Sequence, residues 1–166
     1  RKMVGCFQNP ERYCRTILFE IAGLSIDDHV QSLGMTVGEV LQRPTKIYAR
    51  ALQKILTHYK VKNVVHGIAH ITGGGLLENL ERILPANVTA TIQRDSWDVL
   101  PVFDWIRDLG EIEEDEMDRV FNRGCGLVLV VSPYYAGKIQ KMLADSDLKS
   151  WVIGSIQAGE GKAVWQ

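Results

Sequence analysis

Cysteine is scarce in this chain of 166 residues: Cys6, Cys14 and Cys125 make an odd set with no CxxC spacing. That pattern argues against a disulfide framework and against a zinc site, and the expected setting is reducing and cytoplasmic. Long apolar runs are also missing. Nothing approaches the ~20 consecutive apolar residues of a membrane helix, and no charged-then-apolar leader precedes a cleavage site. The expectation is a chain that neither spans nor crosses a membrane. Charge imbalance is small, with a formal net charge of −1, so no overall basic field invites nucleic acid. Repeats, low-complexity stretches and long linkers are absent too. The sequence opens on "RKMVGCF" without an initiator methionine, which suggests a processed or excised piece.

What is present is a core: 46% of the residues are hydrophobic and 23% charged, enough for one ordinary globular domain over residues 1–166. The first 35 residues are the hardest to read. "NPERYCRT" suggests a turn, "ILFEIAGLS" fits strand or helix, and "DDHVQSLGM" looks like surface loop. From Thr36 the pattern sharpens. "TVGEVLQRP" reads as a short helix with Thr36 as N-cap and Glu39 completing a capping box, stopped before Pro44.

"TKIYARALQKILTHYK" places Tyr48, Ala51, Leu52, Ile55, Leu56 and Tyr59 at spacings of three and four, a helical apolar stripe whose opposite face is basic. "KNVVHGIAHI" reads as a largely buried strand, and "LLENLERIL" as a helix ended by Pro85. "NVTATIQ" alternates as a half-buried strand. "LPVFDWIRDLG" is a helix with Pro101 in its first turn and Gly110 as terminator. "EEDEMDRVF" opens a helix with carboxylates that complement its dipole. "GLVLVV" is the clearest strand, "PYYAGKIQKMLADS" a helix, and "SWVIGSIQ" with "KAVW" a pair of strands joined as a hairpin through "AGEGK". Mixed single strands and helices give an α+β class with a mixed sheet covered by helices.

The chemistry-bearing stretch is "HITGGGLLENLERILP", residues 70–85, where a strand runs into Gly73, Gly74 and Gly75 and then a helix. Such a turn can aim free backbone N–H groups at an anion, and it can equally be a plain tight turn. It is neither GxGxxG nor GxxxxGK[ST], since no lysine follows the glycines. His70 and Thr72 would share a face and reach the same space; the competing reading makes His70 a core histidine bonded to a backbone carbonyl. Asn79 falls one helical turn after Gly75 and either folds back to the helix start or is solvated. Asn122 stands between helix and strand, as a helix cap or a ligand contact. Cys125, followed by apolar residues, reads as a buried structural thiol rather than a nucleophile. His29, His58 and His66 show no metal spacing. Trp97 and Trp105 either pack or line a contact surface.

Taken in order, "PTKIY", "AHITGGGLLENLERILP", "SWDVLPVFDWI", "EMDRVFNRGCGLVLVV" and "WVIGSI" resemble the C-terminal half of aminoimidazole ribonucleotide synthetase, also called phosphoribosylformylglycinamidine cyclo-ligase. The opening "RK" looks like the tail of that family's interdomain helix. The resemblance implies a three-layer α/β/α domain with a mixed sheet, distantly ferredoxin-like. It also implies that this chain is the C-terminal half of a two-domain homodimeric enzyme, whose N-terminal ATP-binding domain lies outside it. In the family, ATP activates the formyl oxygen of formylglycinamidine ribonucleotide by phosphoryl transfer, with magnesium and potassium in attendance. The amidine nitrogen then closes the imidazole ring of purine biosynthesis. Carried over residue by residue, the motif places Thr45, His70, Thr72, Gly73, Gly74, Gly75, Asn79 and Asn122 in substrate or phosphate contact, with no acid or base assigned and no metal or cofactor expected on this domain alone. Arg123 departs from the family's usual neutral residue and reads either as an extra anion contact or as a solvated or ion-paired surface arginine. The alternative function is a non-catalytic module of the same fold that binds a phosphorylated metabolite or a partner chain; neither reading expects a nucleic-acid or membrane partner.

Overall fold

The computed structural model describes residues 1–7 and 16–166; the turn expected at "NPERYCRT", and Cys14 with it, falls outside the described residues. Six strands form one mixed sheet. They are β1 (Lys2–Phe7), β4 (Val65–His70), β5 (Val88–Ile92), β6 (Cys125–Val131), β7 (Ser150–Ala158) and β8 (Lys162–Trp165), in the order β4-β6-β1-β7-β5-β8. The small strands β2 (His29–Val30) and β3 (Met35–Thr36) form a separate hairpin. Helices are α1 (Val37–Leu41), α2 (Ala49–His58), α3 (Gly75–Glu81), α4 (Pro101–Gly110), α5 (Glu114–Val120) and α6 (Ala136–Ala144). A π-helical turn spans Thr16–Ile21, which resolves the strand-or-helix ambiguity of "ILFEIAGLS".

Strand β6 shows why the sheet holds together. All seven of its residues are buried, because β4 and β1 flank it in the sheet and helices cover both faces. Leu127, Leu129 and Val131 join a core made with α2 and α6, through Tyr48, Ala51, Ile55, Tyr59, Ile139 and Leu143. Val128 and Val130 point to the opposite face, where Leu76 and Leu80 of α3 pack with Ala90, Ile92 and Ile153. A strand covered on both sides cannot alternate polar with apolar, hence the unbroken run "GLVLVV". The result is the expected three-layer α/β/α sandwich. A third core joins α4 and α5 to the π-helical turn and the β2–β3 hairpin through Leu18, Val37, Phe103, Ile106 and Met117.

The Thr36 capping box is formed: Thr36 Oγ1 accepts the Glu39 N–H at 3.2 Å while Glu39 accepts the Thr36 N–H at 2.7 Å. The bond from the Thr36 backbone holds the Glu39 carboxyl below its ordinary range.

Several expectations are corrected. The opening "RK" is not a helix tail, since β1 begins at Lys2 and lies in the interior of the sheet, between β6 and β7. "SWVIGSIQ" and "KAVW" do not pair as a hairpin: β5 lies between them, antiparallel to β7 and parallel to β8. "DDHVQSLGM" contains most of the small β2–β3 hairpin rather than only loop. Gly110 is still helical, and Glu111 at φ 46° takes the left-handed terminating position. Helix α3 stops at Glu81, short of Pro85, with the chain continuing in tighter turns such as Ile83 N–H to Leu80 C=O.

Candidate functional site

One end of the sheet collects the polar motifs. His70 closes β4 opposite Leu127, Phe7 closes β1 opposite Cys125, and Cys6 pairs with Ser150 at the start of β7. Antiparallel pairing therefore brings the segments after β4 and before β6 and β7 to the same end. The strap before α2 joins them, because the Tyr48 ring meets the His70 ring edge-on at 6.2 Å between centroids.

The glycine turn is built by two left-handed residues. Gly74 has φ 96° and Gly75 φ 63°, conformations that an L side chain adopts only at a cost. At Gly75 space is a second reason: a Cβ there would lie 1.9 Å from the Asp118 carbonyl oxygen of α5. Gly75 is thus a point of close approach between α3 and α5. Gly73 is exposed with open space around it, and the N–H groups of Gly73 and Gly74 meet no hydrogen-bond acceptor among the described residues. The Glu78 carboxylate folds back over Gly74 while ion-paired with Arg82.

Asn79 folds back rather than standing in solvent. Only 6% exposed, it shares its amide N–H groups among the carbonyls of Gly75 (2.7 Å), Gly73 (3.2 Å) and Thr72 (3.5 Å), and its Oδ1 accepts from Thr72 Oγ1 at 3.4 Å. One side chain thereby ties down three carbonyls of the turn. His70 differs from the core reading: its side chain is exposed at the end of β4 beside Tyr48. Thr45 is half-buried in the strap, and among the described residues no hydrogen bond joins it to the glycine turn.

Asn122 neither caps a helix nor faces open solvent. At 9% exposure its Oδ1 accepts the Gly124 N–H at 2.9 Å, and its carbonyl accepts the Cys125 N–H at 2.8 Å, a side-chain-closed turn that starts β6. Cys125 is buried, as a structural thiol should be.

Sequence reading missed the scaffold behind these loops. Asp118 is buried and pairs with Arg94 on one side and with Arg123 Nε at 3.6 Å on the other. Arg123 also meets Glu114 at 2.8 Å, and Arg107 meets the same carboxylate at 2.7 Å. Burial pushes the Glu114 carboxyl up, but the Arg107 hydrogen bond and the Arg123 charge outweigh it and hold it below its ordinary value. Arg123 is therefore ion-paired, and its backbone sits at φ 50° with its carbonyl accepting the Trp97 indole N–H at 3.0 Å. Trp97 is buried and stacks on Trp165 of β8 at 6.3 Å, while the Arg94 guanidinium lies 4.6 Å over that same Trp165 ring. Arginine and aspartate are common at any surface, so only their arrangement in space identifies this network. Beyond Trp97 a cavity of about 320 Å³ opens between Lys46, Asp98–Pro101 and Asp147–Lys149. Among the described residues no cluster of His, Cys, Asp and Glu suits a metal ion.

These features define a three-layer α/β/α domain whose sheet end presents free glycine N–H groups, a hydroxyl and an imidazole on a rigidly braced turn. The chain belongs to the family described as AIR synthase related protein, C-terminal domain, whose profile matches residues 16–166. It is 43% identical over 157 residues to a phosphoribosylformylglycinamidine cyclo-ligase of Geobacillus kaustophilus, covering 95% of this chain and 44% of that protein. It is 44% identical over 160 residues to the protein of the same name from Caldanaerobacter subterraneus subsp. tengcongensis, covering 96% of this chain and 46% of that one. The chain thus spans less than half the length of the curated relatives it matches. Among solved structures it is similar in fold to a thiamine-monophosphate kinase from Stenotrophomonas maltophilia, with a TM-score of 0.64 at 17% identity over 99% of this chain and 50% of that one.

Proposed function

We propose that this chain is the C-terminal, substrate-facing domain of an ATP-dependent cyclo-ligase that converts formylglycinamidine ribonucleotide to aminoimidazole ribonucleotide in purine biosynthesis. The observation that carries the reading is the gathering of the family's motif residues at one sheet end, within a chain 43–44% identical to cyclo-ligases over nearly its whole length. The division of labour within the site is specific. The N–H groups of Gly73 and Gly74 and the exposed His70 imidazole are the groups that meet substrate oxygens, the Thr72 hydroxyl, whose proton goes to Asn79, accepts from a substrate hydroxyl, and Thr45 stands on the neighbouring strap. Asn79 and Asn122 act at one remove: their amides hold the turn and the pre-β6 loop in shape, so they position rather than touch.

In the intact enzyme ATP supplies the phosphoryl group that activates the formyl oxygen, and ring closure by the amidine nitrogen expels it as phosphate. The nucleotide, its magnesium and potassium, and the homodimer contact are assigned in this proposal to the N-terminal ATP-binding domain that the family resemblance implies. This domain's share of catalysis is to fix the ribonucleotide so that the reacting atoms meet. Calorimetry on the 166-residue chain tests the reading: it should bind formylglycinamidine ribonucleotide and release no ADP from ATP. Absence of binding would remove the wall role, and steady substrate-dependent ADP release would overturn the division between domains.

A further inference from the structure

Charge is distributed unevenly over the two outer layers. Residues 40–77 contain Arg43, Lys46, Arg50, Lys54, Lys60 and Lys62 and not one aspartate or glutamate, although the whole chain is slightly acidic. All six are exposed, on α2 and the segments flanking it. Helix α6, packed beside α2 on the same sheet face, adds the exposed Lys138 and Lys141. Glu39 and Glu78 bound the segment, and Asp145 and Asp147 follow the last turn of α6. By contrast, Arg82, Arg94, Arg107, Arg119 and Arg123 each pair with a carboxylate. Arg43 lies toward α4 with its charge felt by Glu39, and Lys46 lines a cavity with Asp98 and Asp147; the other six, Arg50, Lys54, Lys60, Lys62, Lys138 and Lys141, take part in no ion pair among the described residues. Like charges left uncompensated on one face repel one another, so a surface of this kind gains when an opposite charge arrives.

The same layer keeps apolar side chains in water. Ile47 is 79% exposed, Leu56 46%, Val61 86% and Tyr134 89%. They lie along and around α2: Ile47 just before it, Val61 just after it, and Tyr134 against Tyr135, whose hydroxyl meets Lys62. We propose that the outer face of α2 and α6 is a docking surface for an acidic polypeptide, its carboxylates facing the cations and its apolar side chains meeting Ile47, Leu56, Val61 and Tyr134. Interspersed aliphatic residues distinguish this occupant from nucleic acid, whose backbone gives Ile47, Leu56 and Val61 nothing to pack on. A membrane surface fits less well, because α2 spends its apolar stripe of Ala51, Ile55 and neighbouring Tyr48 and Tyr59 on the sheet and has none left to insert. The surface meets the proposed substrate site only at the strap, where Ile47 lies two residues from Thr45; the cations of α2 and α6 that carry the inference are not among the proposed substrate contacts, so it can fail without the enzymatic reading failing.

Fluorescence anisotropy decides it, using the full chain and a labelled amphipathic peptide of Glu and Leu as the probe. The peptide should bind, more weakly as salt rises. Combining Arg50→Glu, Lys54→Glu and Lys138→Glu should weaken it at least about tenfold, as loss of complementary charge at a steered interface does. Leu56→Ser should cost about threefold, while Lys162→Glu on the distant β8 edge should leave binding unchanged. Circular dichroism confirms that each variant is folded. The proposal is overturned if the triple variant binds as the parent does. It is equally overturned if the peptide fails to bind, or if a single-stranded oligonucleotide of equal charge or a phosphatidylserine vesicle binds more tightly.

Discussion

Gly75→Ala is the sharpest test of how the glycine turn is made. Two costs meet at this residue. A left-handed backbone at φ 63° costs an L residue about 1–2 kcal/mol. The added methyl would also sit 1.9 Å from the Asp118 carbonyl oxygen, far inside the closest distance at which carbon and oxygen normally meet, and backbone cannot swing aside as a side-chain tip can. Relieving that clash means separating α3 from α5, an overpacking cost of about 1–3 kcal/mol. Thermal unfolding followed by calorimetry should therefore show a midpoint lowered by roughly 4–20 °C, since each kcal/mol moves the midpoint by about 2–4 °C in a chain of this length. Gly73→Ala provides the internal contrast, because its Cβ meets open space and its φ is not in the left-handed region. It should stay within about 0.5 kcal/mol of the parent. A Gly75→Ala midpoint indistinguishable from the parent, or equal losses at positions 73 and 75, would refute the close-approach argument.

Other outcomes follow from the same geometry. Asp118→Asn leaves Arg94 and the mostly buried Arg123 without their shared countercharge and should cost about 2 kcal/mol in urea unfolding, discounted for the exposure of Arg94; no change in the midpoint would remove Asp118 from the brace. Glu114 has its folded-state carboxyl held below the unfolded value of 4.5, so its contribution to stability is fully present above that pH and is lost as pH falls through the folded value. Acid unfolding of Glu114→Gln should accordingly show a shallower loss of stability below pH about 4.5, and a slope equal to the parent's would contradict the pairing. Gly74→Asp places a second carboxylate beside that of Glu78 and should weaken binding of formylglycinamidine ribonucleotide at least tenfold (about 1.4 kcal/mol) in calorimetry; unchanged affinity would dismiss the turn as a substrate contact.

Local signals carried a large part of this structure. The Thr36 capping box, the α2 stripe and the buried run of β6 each depend on neighbours within a few residues, so period and composition suffice to find them. Pairing across the sheet is different. β1 lies between β6 and β7, and β8 lies beside β5 rather than β7, because hydrogen bonds join residues 70 or more positions apart, a separation no local pattern encodes. The same limit shaped the site. His70 could be placed at a strand end, yet whether it entered the core or met solvent depended on which distant segments cover that end of β4.

By itself, then, the sequence determined the mixed α+β class, the glycine turn between β4 and α3, and the residues resembling the cyclo-ligases. Those follow from backbone conformational preference, apolar periodicity and motif order. Tertiary structure alone decided which groups of the motif stay available and which are spent on holding it. Asn79 and Asn122 turn inward because buried carbonyls and N–H groups at the turn and the loop require partners. Gly75 is fixed by a carbonyl of α5 that lies 43 residues away, and Asp118 becomes a brace only because Arg94 and Arg123 converge on it from different loops. Burial, close approach and charge pairing between distant segments are properties of the folded chain, and they give a stretch of glycines one fixed shape.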